Sequence, residues 1–219
     1  GNANYLWIQY FYAYLKETGR AGFVMASSAT DSQSKDKDIR QQLVETGDVD
    51  VMISVGNNFF YTLSLPCSLW FFNRDKAETI KDKVLFIDAR NYYTVVDRTL
   101  NEWTDWQLKN LNAIVWLYRG EVDKYQNLVT EYRKALREYG EASQNKEMIA
   151  ALHDGNDFAK AIADLQAFAD KVRTKAKEEV EQAPKKEKKY LRAQYDEQLA
   201  WIEEVVTVAK EADWLYSKF

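Results

Sequence analysis

The sequence predicts an α/β domain over residues 1–104 followed by a long-helix α-helical region over residues 105–219. Three observations carry this. Short apolar or alternating runs, separated by polar, turn-rich stretches, fill the first ninety residues, which is the pattern of strands and connecting segments. Beyond Asp105 only Gly120, Gly140, Gly155 and Pro184 interrupt the chain. In that second part large apolar residues recur at three- and four-residue steps, as helices with one buried face require.

Taken in order, Leu6, Tyr10 and Tyr14 with Trp7, Phe11 and Leu15 predict a helix over Tyr5–Lys16, with Gly19 as its C-terminal cap. Ala21–Ala26 is short and apolar, the pattern of a strand buried on both faces. Ser27–Asp38 is polar and reads as a loop at that strand's carboxyl end. A short helix over Ile39–Val44 follows, started by Asp36 or Asp38 and stopped by Gly47. Val49, Val51, Ile53 and Val55 alternate with Asp50, Met52 and Ser54, which predicts a strand. After a loop at Gly56–Pro66, strands are expected at Ser68–Phe72 and Val84–Asp88, joined by the charged stretch Asn73–Lys83. The result is the back half of an α/β sheet. Trp106, Leu108, Leu111, Val115 and Tyr118 make one helical stripe, continued past a break at Gly120 by Val122, Tyr125, Val129, Tyr132 and Leu136. Further helices are expected at Phe158–Gln182 and Glu187–Tyr216, the last with a rhythm near 3.5 that suits helix pairing, and the charged turn after Pro184 separates them.

Composition removes several function classes. The 30 basic and 34 acidic residues leave a net charge of −4. The charge is evenly spread, so neither half reads as a basic nucleic-acid module. One cysteine, Cys67, excludes an internal disulfide, and with one histidine, His153, no Cys/His zinc site or Glu-x-x-His bundle site can be assembled. No metal is expected. No apolar run approaches the ~20 residues of a membrane span, and no signal-peptide pattern begins the chain; an intracellular, cytoplasmic setting is expected. The glycine-rich turn that lets backbone amides approach a nucleotide-type cofactor is absent, as are Walker-type loops and Gly-x-Ser-x-Gly elbows. Acidic pairs such as Glu178-Glu179 and Glu203-Glu204 read as solvated helix faces.

The loop Gly56-Asn57-Asn58-Phe59-Phe60-Tyr61 stands out, because three consecutive aromatics beside two amides are costly to expose without a partner. It has two readings. Its aromatics can stack on an extruded nucleobase whose edge meets the amides, or Phe59 and Tyr61 can pack under the sheet edge while Asn57-Asn58 form a turn.

The series Gly19-Arg20-Ala21-Gly22-Phe23-Val24-Met25, Ile39-Arg40-Gln41-Gln42-Leu43, Val51-Met52-Ile53-Ser54-Val55, Asn58-Phe59-Phe60-Tyr61 and Leu69-Trp70-Phe71-Phe72 resembles the later motifs of the M subunit of type I restriction-modification systems. Val84-Leu85-Phe86-Ile87-Asp88-Ala89 and Leu108-Lys109-Asn110-Leu111 through Leu117-Tyr118 extend the resemblance, which covers about residues 4–125. It implies the C-terminal half of a Rossmann-like methyltransferase sheet, and transfer of a methyl group from S-adenosylmethionine to adenine N6 in DNA. It also implies an assembly with a specificity (S) subunit, a second M subunit and a nuclease-translocase (R) subunit. By position Phe60 is the first candidate for contact with the target base and Tyr61 the second, with Phe59, Asn58 and Asn57 completing the loop. Val55-Gly56 stands where the family usually carries Leu-Pro.

The family's cofactor turn and its Asn-Pro-Pro-aromatic motif are not in these 219 residues. The expectation is therefore the C-terminal part of such a subunit, with no S-adenosylmethionine binding and no catalysis alone, and with self-association or instability through uncovered sheet. Two other readings compete. One is a helical protein-interaction module whose working part is 105–219, and the other a stand-alone Rossmann-like enzyme with an unusual cofactor site.

Overall fold

The computed structural model describes residues 3–33, 35–153 and 157–219. The chain divides into two compact units, 1–121 and 122–219. The helical region starts at Asp105, as the loss of glycine predicts. Its first helix nevertheless belongs to the first unit, because Leu111 is buried in a cluster with strand residues.

The first unit is a four-stranded sheet with helices on both faces. In chain order it holds α1 (Asn4–Ala13), β1 (Arg20–Ala26), α2 (Lys35–Glu45), β2 (Val49–Val55), β3 (Cys67–Asn73), β4 (Leu85–Ala89), the short strands β5 (Thr94–Val95) and β6 (Asn101–Glu102), and α3 (Asp105–Tyr118). The strand order is β1-β3-β2-β4. β3 runs antiparallel to both neighbours, and β2 and β4 are parallel. β1, β2 and β4 therefore point the same way, and the segments that leave them share one edge of the sheet.

The alternation of side chains along a strand sorts the core into two layers. Met25, Val49, Met52, Trp70 and Phe72 meet Tyr5 and Ile8 of α1 and Leu43 of α2 on one face. Val51, Ile53, Val55, Cys67 and Ala89 meet Leu111 of α3 on the other, where Val115 and Tyr118 also pack. Trp70 is the hub of the first layer, edge-on to Tyr5 at 6.3 Å, with its indole N–H donated to Ser68 Oγ at 2.9 Å.

Several local expectations change. α1 ends at Ala13, earlier than Lys16, and Gly19 is not its cap. The Arg74 guanidinium, arriving just after β3, donates to the carbonyls of Tyr12 at 3.2 Å and Leu15 at 2.6 Å, which ties the chain at the end of α1 to the sheet. β1 is an edge strand without a second strand partner among the described residues, so Val24 is 53% exposed and the strand is not buried on both faces. Ser27–Ala29 forms a 3-10 turn, and α2 begins at Lys35. Asp36 and Asp38 sit inside its first turn, where carboxylates favour the helix dipole. The pair β5 and β6 was not expected, and the Gly120 break was: Gly120 has φ +77° just after α3.

The second unit comprises α4 (Val122–Ala142), α5 (Lys146–His153), α6 (Phe158–Gln182) and α7 (Lys188–Lys218). α6 and α7 pack as a pair, as the apolar spacing requires, and Leu128, Tyr132, Leu136, Met148, Leu152, Leu165 and Ile202 fill the interior. α5 was not anticipated. Asn145 caps it, its Oδ1 accepting from the amides of Glu147 and Met148 at 2.9 and 3.2 Å. Gly140 does not interrupt α4. It lies buried within the helix, and a β-carbon there would stand 3.4 Å from Ile149 Cα and Leu152 Cβ. Gly155 lies outside the described residues.

Candidate functional site

The carboxyl edge shared by β1, β2 and β4 is where α/β sheets present ligand-binding loops. Here it carries the 3-10 turn after β1, the loop 56–66 after β2, and residues 90–104 after β4. The turn is fixed by Tyr5, whose hydroxyl donates to the Ala29 carbonyl at 2.5 Å, and by Arg40, which donates to Tyr5 Oη at 3.0 Å and to the Ser32 carbonyl at 3.1 Å.

Loop 56–66 has a clamped stem and an open tip. Gly56 lies against the backbone after β4, so that a β-carbon there would come within 2.5 Å of the Arg90 carbonyl oxygen. The Asn57 carbonyl accepts from Asn101 Nδ2 at 3.0 Å, and the Asn58 carbonyl accepts from the Asn101 amide at 2.7 Å. Asn58 itself adopts φ +64°, a conformation asparagine tolerates better than most residues, and its Oδ1 accepts from the Ser64 hydroxyl. Phe59 turns inward, 4.9 Å from the Trp103 ring and edge-on to Tyr93 at 6.0 Å. Phe60 is 38% exposed and Tyr61 91% exposed, with Leu63 and Leu65 also open to solvent.

The two readings of the loop thus divide between residues. Phe59 packs under the sheet edge, while Phe60 and Tyr61 are presented. Replacing Gly56 with alanine is expected to push the stem off the Arg90 carbonyl and destabilise the first unit by about 1–3 kcal/mol. Urea denaturation of the variant measures this, and an unchanged midpoint would show that the stem has room.

Sequence reasoning did not find Tyr93, Asn101 or Trp103. β5 and β6 are two residues each, too short for any periodicity to register. They are rooted on α3: Thr104 and Gln107 form a capping box there, Thr94 Oγ1 donates to Gln107 Oε1 at 3.1 Å, and the Trp103 indole donates to the Tyr92 carbonyl at 2.6 Å.

Arg90 grips Asp88 with Nε at 2.8 Å and Nη2 at 2.6 Å, and with its own amide holds the Asp88 carboxyl down to about 2. At neutral pH Asp88 is ionised and paired, so it is no proton carrier. Hydrogen bonds from Thr99 likewise hold the Asp97 carboxyl below its ordinary value.

No group of three metal-ligating side chains gathers among the described residues, and no helix is long and apolar enough to cross a membrane. The glycines with positive φ, Gly47 and Gly120, precede β2 and follow α3. Neither lies at the carboxyl edge, and Gly56 there is filled by backbone.

A sheet with a reversed strand inserted between parallel ones, and an aromatic loop at its carboxyl edge, is the frame into which the comparisons fit. The chain belongs to the N-6 DNA methylase family, whose model matches residues 1–151. It is 39% identical over 111 residues to the type I restriction enzyme MjaIX methylase subunit of Methanocaldococcus jannaschii, covering 51% of this chain and 20% of that protein. It is 32% identical over 105 residues to the HindI methylase subunit of Haemophilus influenzae, covering 48% and 23%. The chain thus spans about a fifth of the length of these relatives. A solved type I restriction-modification methyltransferase subunit from Streptococcus thermophilus superposes with a TM-score of 0.48 at 22% identity, covering 52% of this chain and 24% of that one.

Proposed function

We propose that this chain serves in a type I adenine-N6 DNA methyltransferase, in which loop 56–66 forms part of the surface that receives the extruded target adenine. The observation that carries this reading is the split loop: Phe59 is anchored, and the next ring, Phe60, is held partly exposed at the carboxyl edge. A base taken out of the duplex loses its stacking neighbours, and an aromatic ring restores about 1–3 kcal/mol per base. Phe60 supplies that ring, Tyr61 is second, and the exposed Asn57 amide lies within the same loop. S-adenosylmethionine supplies the methyl group in this reaction, and the described residues are assigned no part in holding it.

Phe60→Ala in the assembled enzyme is expected to slow methyl transfer to DNA by roughly 5-fold to 150-fold, the equivalent of that stacking energy. An unchanged rate would remove Phe60 from the site.

The partners in this reading are DNA, an S subunit, a second M subunit and an R subunit, with the helices of residues 122–219 serving assembly. A second reading, a helical interaction module without a catalytic role, is favoured by one feature of α7: its buried residues all lie between Ile202 and Leu215, and the stretch from Lys188 to Trp201 buries none. Helix-breaking substitutions in that stretch that abolish assembly, together with normal methylation by Phe60→Ala, would select this reading.

A further inference from the structure

We propose that Asn101 is a positioning residue that sets the direction of the base-contact loop; this rests on the reading of Phe60 given above. One side chain and its own amide take the carbonyls of two consecutive loop residues, Asn57 and Asn58. Asn101 is itself buried, 8% exposed. This double clamp falls where Asn58 takes φ +64° and the chain changes direction. Immediately after that turn Phe59 goes inward onto Trp103 and Tyr93, and Phe60 faces out.

The clamp has a rigid foundation. Asn101 pairs with Val95 in the β5–β6 ladder, adjacent Thr94 is hydrogen-bonded to Gln107, and Gln107 is half of the capping box that starts α3. The loop tip is therefore referenced to α3 as well as to the end of β2. Without the Asn101 Nδ2 donor the Asn57 carbonyl has no donor from β6, and the turn that separates the inward ring from the outward one keeps only the backbone bond to Asn58, the Ser64 bond and the ring contacts of Phe59. A binding surface must hold its groups within a fraction of an ångström to be effective, so loosening this turn should act on the base through Phe60.

The test is a double-mutant cycle in the assembled methylating enzyme, with Phe60→Ala, Asn101→Asp and the pair, reading single-turnover methyl incorporation into unmethylated genomic DNA. Asn101→Asp keeps the size and backbone amide and replaces the donor with a carboxylate; Asn101→Ala is run beside it in case the added charge unfolds the first unit. Each single variant is expected to lose roughly 5-fold to 150-fold in rate, and the double variant to be no slower than Phe60→Ala alone, because coupled residues are non-additive. Losses that multiply in the double variant, or a normal rate with Asn101→Asp and Asn101→Ala while Phe60→Ala is slow, would overturn the role of Asn101. A normal rate with Phe60→Ala would overturn the base-contact reading, and the positioning role with it.

Discussion

Replacing Trp70 with alanine is expected to cost the first unit about 3–5 kcal/mol, the range for emptying a buried aromatic site. Trp70 is 1% exposed and lies in β3, the strand that pairs on both sides. Its ring meets Tyr5 edge-on and lies nearly parallel to Phe23 at 6.2 Å, so the cavity would open between α1 and the sheet. The loss is too central to be relieved by a local shift. Hydrogen exchange of the β2 and β3 amides under native conditions measures it, and protection equal to the parent's would mean that the layer collapses around the gap.

Asp50→Ala is the second large effect expected, again about 3–5 kcal/mol, because it strands a charge. Asp50 is fully buried in β2 and is paired with Arg119, the residue that closes α3. The ion pair ties the end of that helix to the sheet. Lys76 lies in the same electrostatic neighbourhood, with its ammonium donating to the carbonyls of Val49 at 2.9 Å and Lys83 at 2.5 Å. Burial pushes the Lys76 pKa down, and the Asp50 charge opposes that shift.

A lysine whose folded pKa is lowered carries its burial cost when protonated in both states, and sheds it as pH rises toward the ordinary value of 10.5. Removing Asp50 lowers that pKa further. The deficit of Asp50→Ala is therefore expected to be larger at pH 7 than near pH 10, in urea unfolding of the two proteins side by side. Replacing both partners, as in Asp50→Leu with Arg119→Met, should recover most of the loss, since neither charge is then left alone. A double variant no better than Asp50→Ala would mean that the pair is not the source of the cost.

Much of the fold was legible because its signals are local. The alternation of Val49 to Val55 specifies β2, and the apolar spacing of Phe158–Gln182 specifies α6 with both ends, the second marked by Pro184. Gly120 marks the break after α3 because its φ of +77° suits glycine. Other elements depend on distant residues or are too short for a period. The chain at the end of α1 is tied by Arg74, some sixty residues away in sequence, a contact no capping rule anticipates. α5 is short, and the glycine before it, Gly140, serves close helix approach rather than a turn. β1 has a buried strand's composition but only one strand partner among the described residues.

The candidate site divides along the same line. Composition singled out Asn57 to Tyr61, since adjacent aromatics and amides in a loop are visible without a structure. Which ring is anchored and which is presented depends on Tyr93, Asn101 and Trp103, more than thirty residues further on. By itself the sequence determined the strands and helices whose side-chain period is written in consecutive residues, and the aromatic loop between two of those strands. Only the tertiary structure decided that Phe59 packs against the core and Phe60 is surface, because that choice is made by hydrogen bonds and ring contacts from a segment too short to have a pattern of its own.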